Sequence, residues 1–177
     1  MGSLVLTGDT SGSVTVAVPA VAGTNTATFP AATGTVMVAG NMPAFSAQAA
    51  STQSISNTTF TKVTLGTVVF DTNSNFATST FTPKVAGYYQ INAGIFYNAS
   101  AVSGLGQIFI YKNGTAVNLT VGNMATSGYC GLSISTIVYC NGSTDYIDLY
   151  TYHAFGTAQT TSSGISVYMA GSMIRGA

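Results

Sequence analysis

The chain has 177 residues, and only 5% of them are charged, with four Lys and Arg balanced by four Asp. Ordinary domains carry about 25% charged residues, so this protein offers no basic stripe for nucleic acid or anionic lipid. Its length allows one β-sandwich of about 130 residues with an appendage.

The N-terminal residues lack the basic region of a signal peptide, and their apolar run from Leu4 to Leu6 is short. No apolar run in the sequence approaches the roughly 18 residues of a membrane span. We therefore expect a protein that is neither exported through a leader nor anchored in a membrane. A protein that leaves the host bacterial cytoplasm inside a virus particle needs neither segment.

Residues 1–42, the arm, contain short β-forming runs separated by Gly and Pro. Such a segment buries too little surface to stay ordered by itself, so we expect it to dock on a neighbouring protein or to wind with two copies of itself. The arm resembles strand-and-turn segments near the N-terminus of many tailed-phage fibre and head-surface proteins. That resemblance implies attachment to a virion, with Val14, Val16, Val18 and Phe29 as candidate contacts to the capsid. The predicted strands are Leu4–Leu6, Val14–Val18, Thr26–Phe29 and Thr35–Val38.

Residues 43–177, the knob, begin with a predicted strand at Pro43–Ala47 and a loop that runs to residue 58. An apolar run then ends at Asp71, a polar turn follows to Asn75, and β-formers resume at Thr78–Thr82. Pro83 and Gly87 bend the chain into a long strand. Its alternate residues Ile91, Ala93, Ile95 and Tyr97 form one apolar face, with Gln90, Asn92 and Asn98 on the other, so this strand is predicted to be half buried.

The C-terminal half of the knob contains five further predicted strands and no run with convincing helical periodicity. Asn113-Gly114 and Asn141-Gly142 are hairpin signals, because both residue types tolerate positive φ. Ile147 and Leu149 are predicted to face the core, with Tyr146, Asp148, Tyr150 and Tyr152 on the opposite face. The predicted strands are Gln107–Tyr111, Thr115–Val121, Gly128–Cys140, Tyr146–His153 and Ile165–Ile174.

These motifs resemble the C1q/tumour-necrosis-factor family of trimeric jelly rolls. The match consists of Phe70, the turn Phe81-Thr82-Pro83-Lys84, the strand with Gly87, Tyr89 and Ile91, the run Asp145, Ile147 and Leu149, and the closing Met169 and Gly171. Ile91 and Met169 stand where the family has aromatic residues. The resemblance implies an all-β C1q/TNF-like jelly-roll sandwich of about ten strands over residues 43–177, forming a homotrimer behind an extended β-arm. In such trimers a neighbouring subunit covers much of a strand face, so Tyr146, Asp148, Tyr150, Tyr152 and Phe45 are candidate interface residues. The alternative role of the Tyr rings is to stack on sugar rings, as in a lectin.

Candidate catalytic or metal-ligating residues are few. Cys130 and Cys140 lie on one predicted strand about 33 Å apart, too far for a disulfide, so both thiols are predicted to stay reduced. His153 has no Ser or Cys partner at a recognisable spacing, and Asp145 and Asp148 point to opposite faces. Asp148 offers Ca²⁺ a single carboxylate, which is a poor start for a site. We expect no enzyme activity, no cofactor and no resident metal.

The function that we predict is a non-enzymatic, homotrimeric phage protein of the virion surface. As a head decoration or cement protein it would grip the major capsid protein with the arm and project the knob outside. The alternative is a tail-fibre tip that binds a host glycan or receptor, although a complete tail fibre needs a longer shaft than residues 1–42 supply. A free C1q-like lectin or signalling ligand is disfavoured by the missing leader.

Overall fold

The computed structural model describes residues 3–21, 23–28, 31, 33–34, 36–98, 103–124 and 130–177. These residues divide into two compact units, Met1–Gly34 and Thr35–Ala177. Residues 36–42, which the sequence analysis grouped with the arm, belong to the second unit, where Met37 packs against the hydrophobic core. The roles assigned to arm and knob stay predictions.

The described residues of the first unit form one β-hairpin, from β1 (Ser3–Thr7) and β2 (Ser13–Ala17). The predicted strands at Leu4–Leu6 and Val14–Val18 are therefore confirmed. The predictions of strands at Thr26–Phe29 and Thr35–Val38 are wrong for residues 26–28 and 36–38, which form no ladder. β-forming side chains make a strand only when a partner strand is in register, and these runs have none among the described residues. Phe29 and Thr35 lie outside the described residues.

The second unit is a sandwich of two antiparallel sheets, with core side chains from both sheets between them. Its strands are β3 (Ala44–Ala49), β4 (Ser54–Ile55), β5 (Thr61–Lys62), β6 (Thr67–Asp71), β7 (Phe76–Ala77), β8 (Thr80–Phe81), β9 (Gly87–Tyr97), β10 (Gly104–Lys112), β11 (Thr115–Met124), β12 (Cys130–Cys140), β13 (Ile147–Ala154), β14 (Gln159–Thr160) and β15 (Gly164–Gly176). One sheet has the strand order β12-β9-β15-β3-β6, and the other β11-β10-β13-β8-β7, with β5 also paired to β13. A third, two-stranded sheet pairs β14 with β4.

The core confirms the predicted alternation along β9. Tyr89, Ile91, Ala93, Ile95 and Tyr97 are buried, while the residues between them face outward, and of these only Gly94 is buried, beneath the Tyr168 ring. At one end of the sandwich the Phe45 ring stacks on Phe76 and Phe81, with centroids 5.2 Å and 4.2 Å apart. Full burial of side chains of this size contributes about 1.5–3 kcal/mol each, so this interior stabilises the second unit without help from the first.

The turn between β7 and β8 differs from the predicted run of β-formers at Thr78–Thr82. Thr78 and Ser79 adopt positive φ angles of 49° and 60°, which closes a tight turn before β8. The Ser79 hydroxyl accepts a buried hydrogen bond of 2.8 Å from the Leu65 backbone N–H, and this long-range contact holds the conformation. A single turn of 3₁₀-helix, Ala39–Asn41, precedes β3. Among the described residues no helix is long and apolar enough to cross a membrane.

Candidate functional site

The five-strand face is the outer surface of the sheet β12-β9-β15-β3-β6. Its side chains alternate with the core residues: Tyr139 lies opposite Tyr88, and Ile137 lies opposite Gln90. Ile137 is 55% exposed, and the Tyr88 and Tyr139 rings are 5.4 Å apart. Apolar and aromatic groups are thus presented to the outside of the sandwich, as at the centre of protein interfaces. The face comprises Tyr88, Gln90, Asn92, Ser135, Ile137, Tyr139, Tyr168, Ala170 and Ser172.

The five strands of this sheet contain two charged residues, Asp71 and Arg175. Asp71 ends β6, where its carboxylate accepts a 2.7 Å hydrogen bond from the Phe76 N–H and closes the following turn. Arg175 is near the end of β15, opposite Tyr88. The centre of the face therefore carries no charge, and a partner can cover it without the large cost of desolvating an ion.

A chain of hydrogen-bonded polar groups crosses the middle of the five-strand face. Gln90 Nε2 donates to Ser135 Oγ at 2.7 Å, and Ser135 Oγ donates to Asn92 Oδ1 at 2.9 Å. Beside these groups lies a shallow depression of about 330 Å³, next to the Tyr168 ring. Gly94 makes room for that ring, because a Cβ there would lie 2.6 Å from Tyr168 Cε1. Fixed polar groups in an uncharged face can set the register of a partner.

The six-strand face is the outer surface of the other sheet. Tyr150 and Tyr152 are brought together there as predicted, but they join three aromatic residues that sequence reasoning missed. Tyr150 stacks on Tyr111 at 4.3 Å, and Phe60 contacts Tyr152 at 4.9 Å and Phe109 at 5.3 Å. The signal for Phe109 and Tyr111 was present in β10, which is apolar on both faces. Such a pattern does not say which side faces the core. The face comprises Phe60, Tyr111, Tyr150, Tyr152 and Phe109, of which Phe109 is only 5% exposed, with Leu119 and Val121 on the adjoining β11.

Tyr146 lies apart from these strands, at the paired turns that precede β13. Its backbone N–H donates to Asn113 Oδ1 at 2.9 Å, and its carbonyl accepts from the Asn113 N–H at 3.1 Å. The residue therefore joins two turns of its own subunit. Its side chain is half-buried, and its role at an interface stays a prediction.

Two of the predicted interface residues are interior residues of their own subunit. Phe45 is fully buried in the ring stack described above, so its side chain has no surface to offer a neighbour. Asp148 is 6% exposed, and its Oδ1 lies 2.7 Å from Lys62 Nζ and 2.8 Å from the donating Thr80 hydroxyl. Alternation placed Asp148 correctly on the outer face of β13, but β5 and β8 cover it there. The same contacts occupy Oδ1 of the carboxylate that was considered for Ca²⁺.

Asp145 links the two Asn-Gly turns of the second unit. Its carboxylate lies 2.8 Å from Lys112 Nζ and accepts hydrogen bonds from Asn113 Nδ2 at 2.7 Å and from the Asn141 N–H at 2.9 Å. The hydrogen bond from Lys112, followed by that from Asn113, lowers the pKa of Asp145 below its usual 3.8, although desolvation works in the opposite direction. No group of three His, Cys or Asp side chains able to hold a metal occurs in the described part of the chain.

Asp145→Asn is expected to lower the free energy of unfolding at neutral pH by about 1–3 kcal/mol, because charge-assisted hydrogen bonds contribute that much. A carboxyl whose pKa is lowered by folding adds stability above its unfolded pKa and loses it as the pH falls through the folded value. The variant should therefore lose less stability than the wild type between pH 7 and acid, as measured by urea unfolding. The exposed Asp9→Asn is the matched control. If the free energy of unfolding of D145N fell with pH as steeply as that of the wild type, Asp145 would not be the source of this pH dependence.

His153 is fully buried at the end of β13. Its Nε2 lies 3.0 Å from the Ile55 carbonyl oxygen, and its ring stacks on Phe155 at 4.7 Å and meets the Tyr97 ring edge-on at 5.4 Å. A carbonyl only accepts, so Nε2 carries the proton and donates. Its Nδ1 is buried without a hydrogen-bond partner among the described residues. These contacts tie β4 to the core.

The two cysteines lie at opposite ends of β12, where Cys130 pairs with Tyr97 and Cys140 with Gly87 of β9. Burial raises the pKa of the Cys140 thiol to about 11, with opposing smaller effects of Lys112 and Asp145. Since the thiolate is the reactive form, this group is protected at neutral pH.

Titration of the unfolded, non-reduced protein with a thiol reagent is expected to find two free thiols per chain, because the two residues stand at the two ends of one continuous strand. In the native protein Cys140 should react far more slowly than after unfolding. Cys140→Ala should remove one equivalent and serves as the control. Finding no free thiol, with no intermolecular cross-links on a non-reducing gel, would refute this expectation.

The hairpin of the first unit carries two of the four candidate capsid contacts on its strands. Val14 and Val16 are 65% and 49% exposed on β2, and Val18 follows that strand at 49%. Phe29 lies outside the described residues. The structure thus exposes three of these side chains to solvent, and their contact with a capsid stays a prediction.

No protein-family model matches the chain, and no curated protein matches it in sequence. Solved structures do match its fold. The globular domain of zebrafish complement 1qA aligns with a TM-score of 0.58 at 17% identity, covering 76% of this chain and 98% of that one. Murine APRIL aligns with a TM-score of 0.57 at 9% identity, covering 75% and 99%. The PRD1 vertex protein P5 aligns with a TM-score of 0.54 at 18% identity, covering 75% and 97%.

These likenesses concern the fold alone, because the identities lie between 9% and 18%. Two antiparallel sheets, a long central β9 and a closing β15 between β9 and β3 produce the same architecture at low sequence identity. The predicted fold class is confirmed: the protein has the C1q/TNF-like jelly-roll fold.

Proposed function

We propose that the protein is a non-enzymatic, homotrimeric structural protein of a phage virion surface, and that it decorates the head. The observation that carries the trimer is the uncharged five-strand face. Ile137, Tyr88 and Tyr139 are each 42% exposed or more on a sheet with no charge at its centre. Covering apolar area of this kind contributes about 25 cal/mol per Å², and around Ile137 the sheet has no ion to desolvate. The cations beside the two tyrosines are Arg175, opposite Tyr88, and Lys112, whose Nζ lies 5.6 Å from the Tyr139 ring centre. A copy of the same chain offers a face with the same uncharged centre.

The polar groups of the five-strand face support a defined trimer rather than loose association. Hydrogen bonds fix the side chains of Gln90, Ser135 and Asn92, and a depression lies beside Tyr168. The face therefore has a defined shape. Interfaces between subunits combine an apolar centre with about one hydrogen bond per 100–200 Å², and this face offers both.

The virion assignment is supported by two further observations. The jelly roll is similar to the vertex protein P5 of PRD1, a phage protein, at a level that concerns the fold only. The first unit carries a hairpin whose apolar side chains are exposed, as expected of a segment that becomes covered when the particle assembles. In this proposal the arm holds the protein to the major capsid protein and the knob projects outward.

The absence of enzymatic activity is part of the proposal and is supported by the places of the titratable groups. His153 is enclosed by rings and a backbone carbonyl, while Asp145 and Asp148 each form an ion pair with a lysine of their own subunit. A general acid or base must reach a substrate, and a buried or fully paired group does not.

Labelling of intact particles tests the location. Antibody fragments against the knob, imaged by electron microscopy, are expected to cover the capsid shell. Labelling confined to the tail tip would overturn head decoration. It would favour the second candidate, a tail-fibre adhesin, for which the aromatic six-strand face is the supporting observation, since Tyr150, Tyr111 and Phe60 are groups on which sugar rings stack.

A further inference from the structure

The register of the hairpin in the first unit separates two different surfaces. Leu4 lies opposite Val16 and Leu6 opposite Val14, while Val5 lies opposite Thr15. Successive side chains of a strand point to opposite sides, so the aliphatic face is formed by Leu4, Leu6, Val14 and Val16. The reverse side carries Ser3, Val5, Thr7, Ser13, Thr15 and Ala17. Aliphatic groups are thus concentrated on one side, and hydroxyl groups predominate on the other.

The aliphatic face is open in the single chain. Its four side chains are between 49% and 65% exposed. An isolated two-stranded hairpin is at best marginally stable in water, and an ordered sheet needs more strands or a second layer on its apolar side. The hairpin therefore requires a partner that covers this particular side.

Charge and tethering identify that partner. Residues 3–17 contain one charged residue, Asp9, which lies in the turn between the strands and off the aliphatic face. Identical faces of this kind meet without like-charge repulsion or desolvation of an ion. In the proposed trimer each hairpin is joined through residues 18–34 to its own knob, and the three knobs are assembled, so the hairpins share an effective concentration on the order of millimolar before any other protein is met.

We propose that the aliphatic faces of the three hairpins of one trimer pack against one another around the threefold axis and form a six-stranded prism. This inference rests on the proposed homotrimer. The reverse side, with Val5 and its hydroxyl neighbours, then faces outward. In this arrangement Val14 and Val16 lie inside the prism and support attachment to the virion by stabilising it. Direct contacts to the capsid are then made by the outward side and by Val18.

Single cysteines on the two sides of the full-length protein test this packing. Val14→Cys and Leu4→Cys place a thiol on the aliphatic face, and Val5→Cys places one on the reverse side of the same hairpin. After oxidation with copper phenanthroline, Val14→Cys and Leu4→Cys are expected to run on a non-reducing gel with two of every three chains as covalent dimers. Val5→Cys should stay at the level of the wild type, which accounts for the native thiols. Light scattering before oxidation reports whether each sample is a trimer.

The outcomes separate the prism from the trimer on which it rests. A trimeric sample in which Val14→Cys and Leu4→Cys cross-link no more than Val5→Cys overturns the prism and leaves the trimer standing. Strong cross-linking of Val5→Cys alone also overturns it, since the reverse side would then be the inner one. A monomer by light scattering refutes the homotrimer and the prism together.

Discussion

Ile137→Lys is expected to convert the trimer into folded monomers. Ile137 is 55% exposed in the single chain and lies on β12 opposite Gln90, in the uncharged part of the five-strand face. In a trimer closed through this face the lysine ammonium would be buried with no anion near it. Desolvating an unpaired ion costs several kcal/mol, and the substitution acts at every subunit contact, so dissociation by a factor of about 100 or more per contact is expected.

Light scattering on a chromatographed sample measures this effect. The wild type should have about three times the chain mass of 18.0 kDa, and the variant a mass near 18 kDa. Leu119→Lys is the matched control, because Leu119 is similarly exposed, at 48%, but lies on β11 in the other sheet. That variant should remain trimeric, and circular dichroism should show both variants folded. Dissociation of Leu119→Lys with an intact Ile137→Lys trimer would place the interface on the six-strand face.

Removal of residues 1–34 is expected to abolish attachment to the particle while leaving a folded, trimeric remainder. The buried core lies wholly within the second unit, so its stability does not depend on the first. The cut is placed before residues 36–42 because Met37 packs against the core and the Gly40 carbonyl accepts a 3.0 Å hydrogen bond from Asn73 Nδ2. A hairpin with unpaired edge strands is suited to adding a strand of another protein, here one of the particle.

Particles that lack the protein, incubated with intact or truncated chains and then sedimented, measure occupancy. The truncated chain should stay in the supernatant and retain its trimer mass and unfolding midpoint. If it decorated particles at full occupancy, the anchor would lie in the second unit and the proposed role of the arm would be wrong. If it bound host cells tightly and blocked infection, the tail-fibre adhesin would become the better account.

Local patterns predicted the strands of the second unit well. The alternation of β9 and β13 was sufficient to assign Ile91, Ile95, Ile147 and Leu149 to the core, where all are buried. The Asn113-Gly114 dipeptide predicted its hairpin turn, in which φ is 51° and 78°. Both signals are contained in a few neighbouring residues, so no tertiary information was needed to interpret them.

What the sequence left undetermined depends on contacts between distant strands. Phe45 was placed at an interface, but stacking on Phe81 buries it, and that contact exists only once β3 and β8 are packed together. Asp148 was assigned to the correct side of its strand, yet Lys62 and Thr80 cover it from elements 68 or more residues away in sequence. The alternation of side chains along a strand assigns each residue to one side of the sheet. Which other strands cover that side depends on the topology of the fold.

The scarcity of charge on the five-strand face also determines how assembly responds to the medium. The Debye length shortens from about 10 Å at 0.1 M salt to about 3 Å at 1 M, and this weakens associations that depend on opposite charges. Contacts through Ile137 and its uncharged neighbours Gln90 and Ser135 have no such term to lose. The cations near the face are Arg175, opposite Tyr88, and Lys112, 5.6 Å from the Tyr139 ring centre. The same scarcity removes electrostatic steering, so the encounter rate stays near the unsteered range of about 10⁵–10⁶ M⁻¹s⁻¹. Assembly through this face is therefore slow to form at low concentration and indifferent to ionic strength once formed.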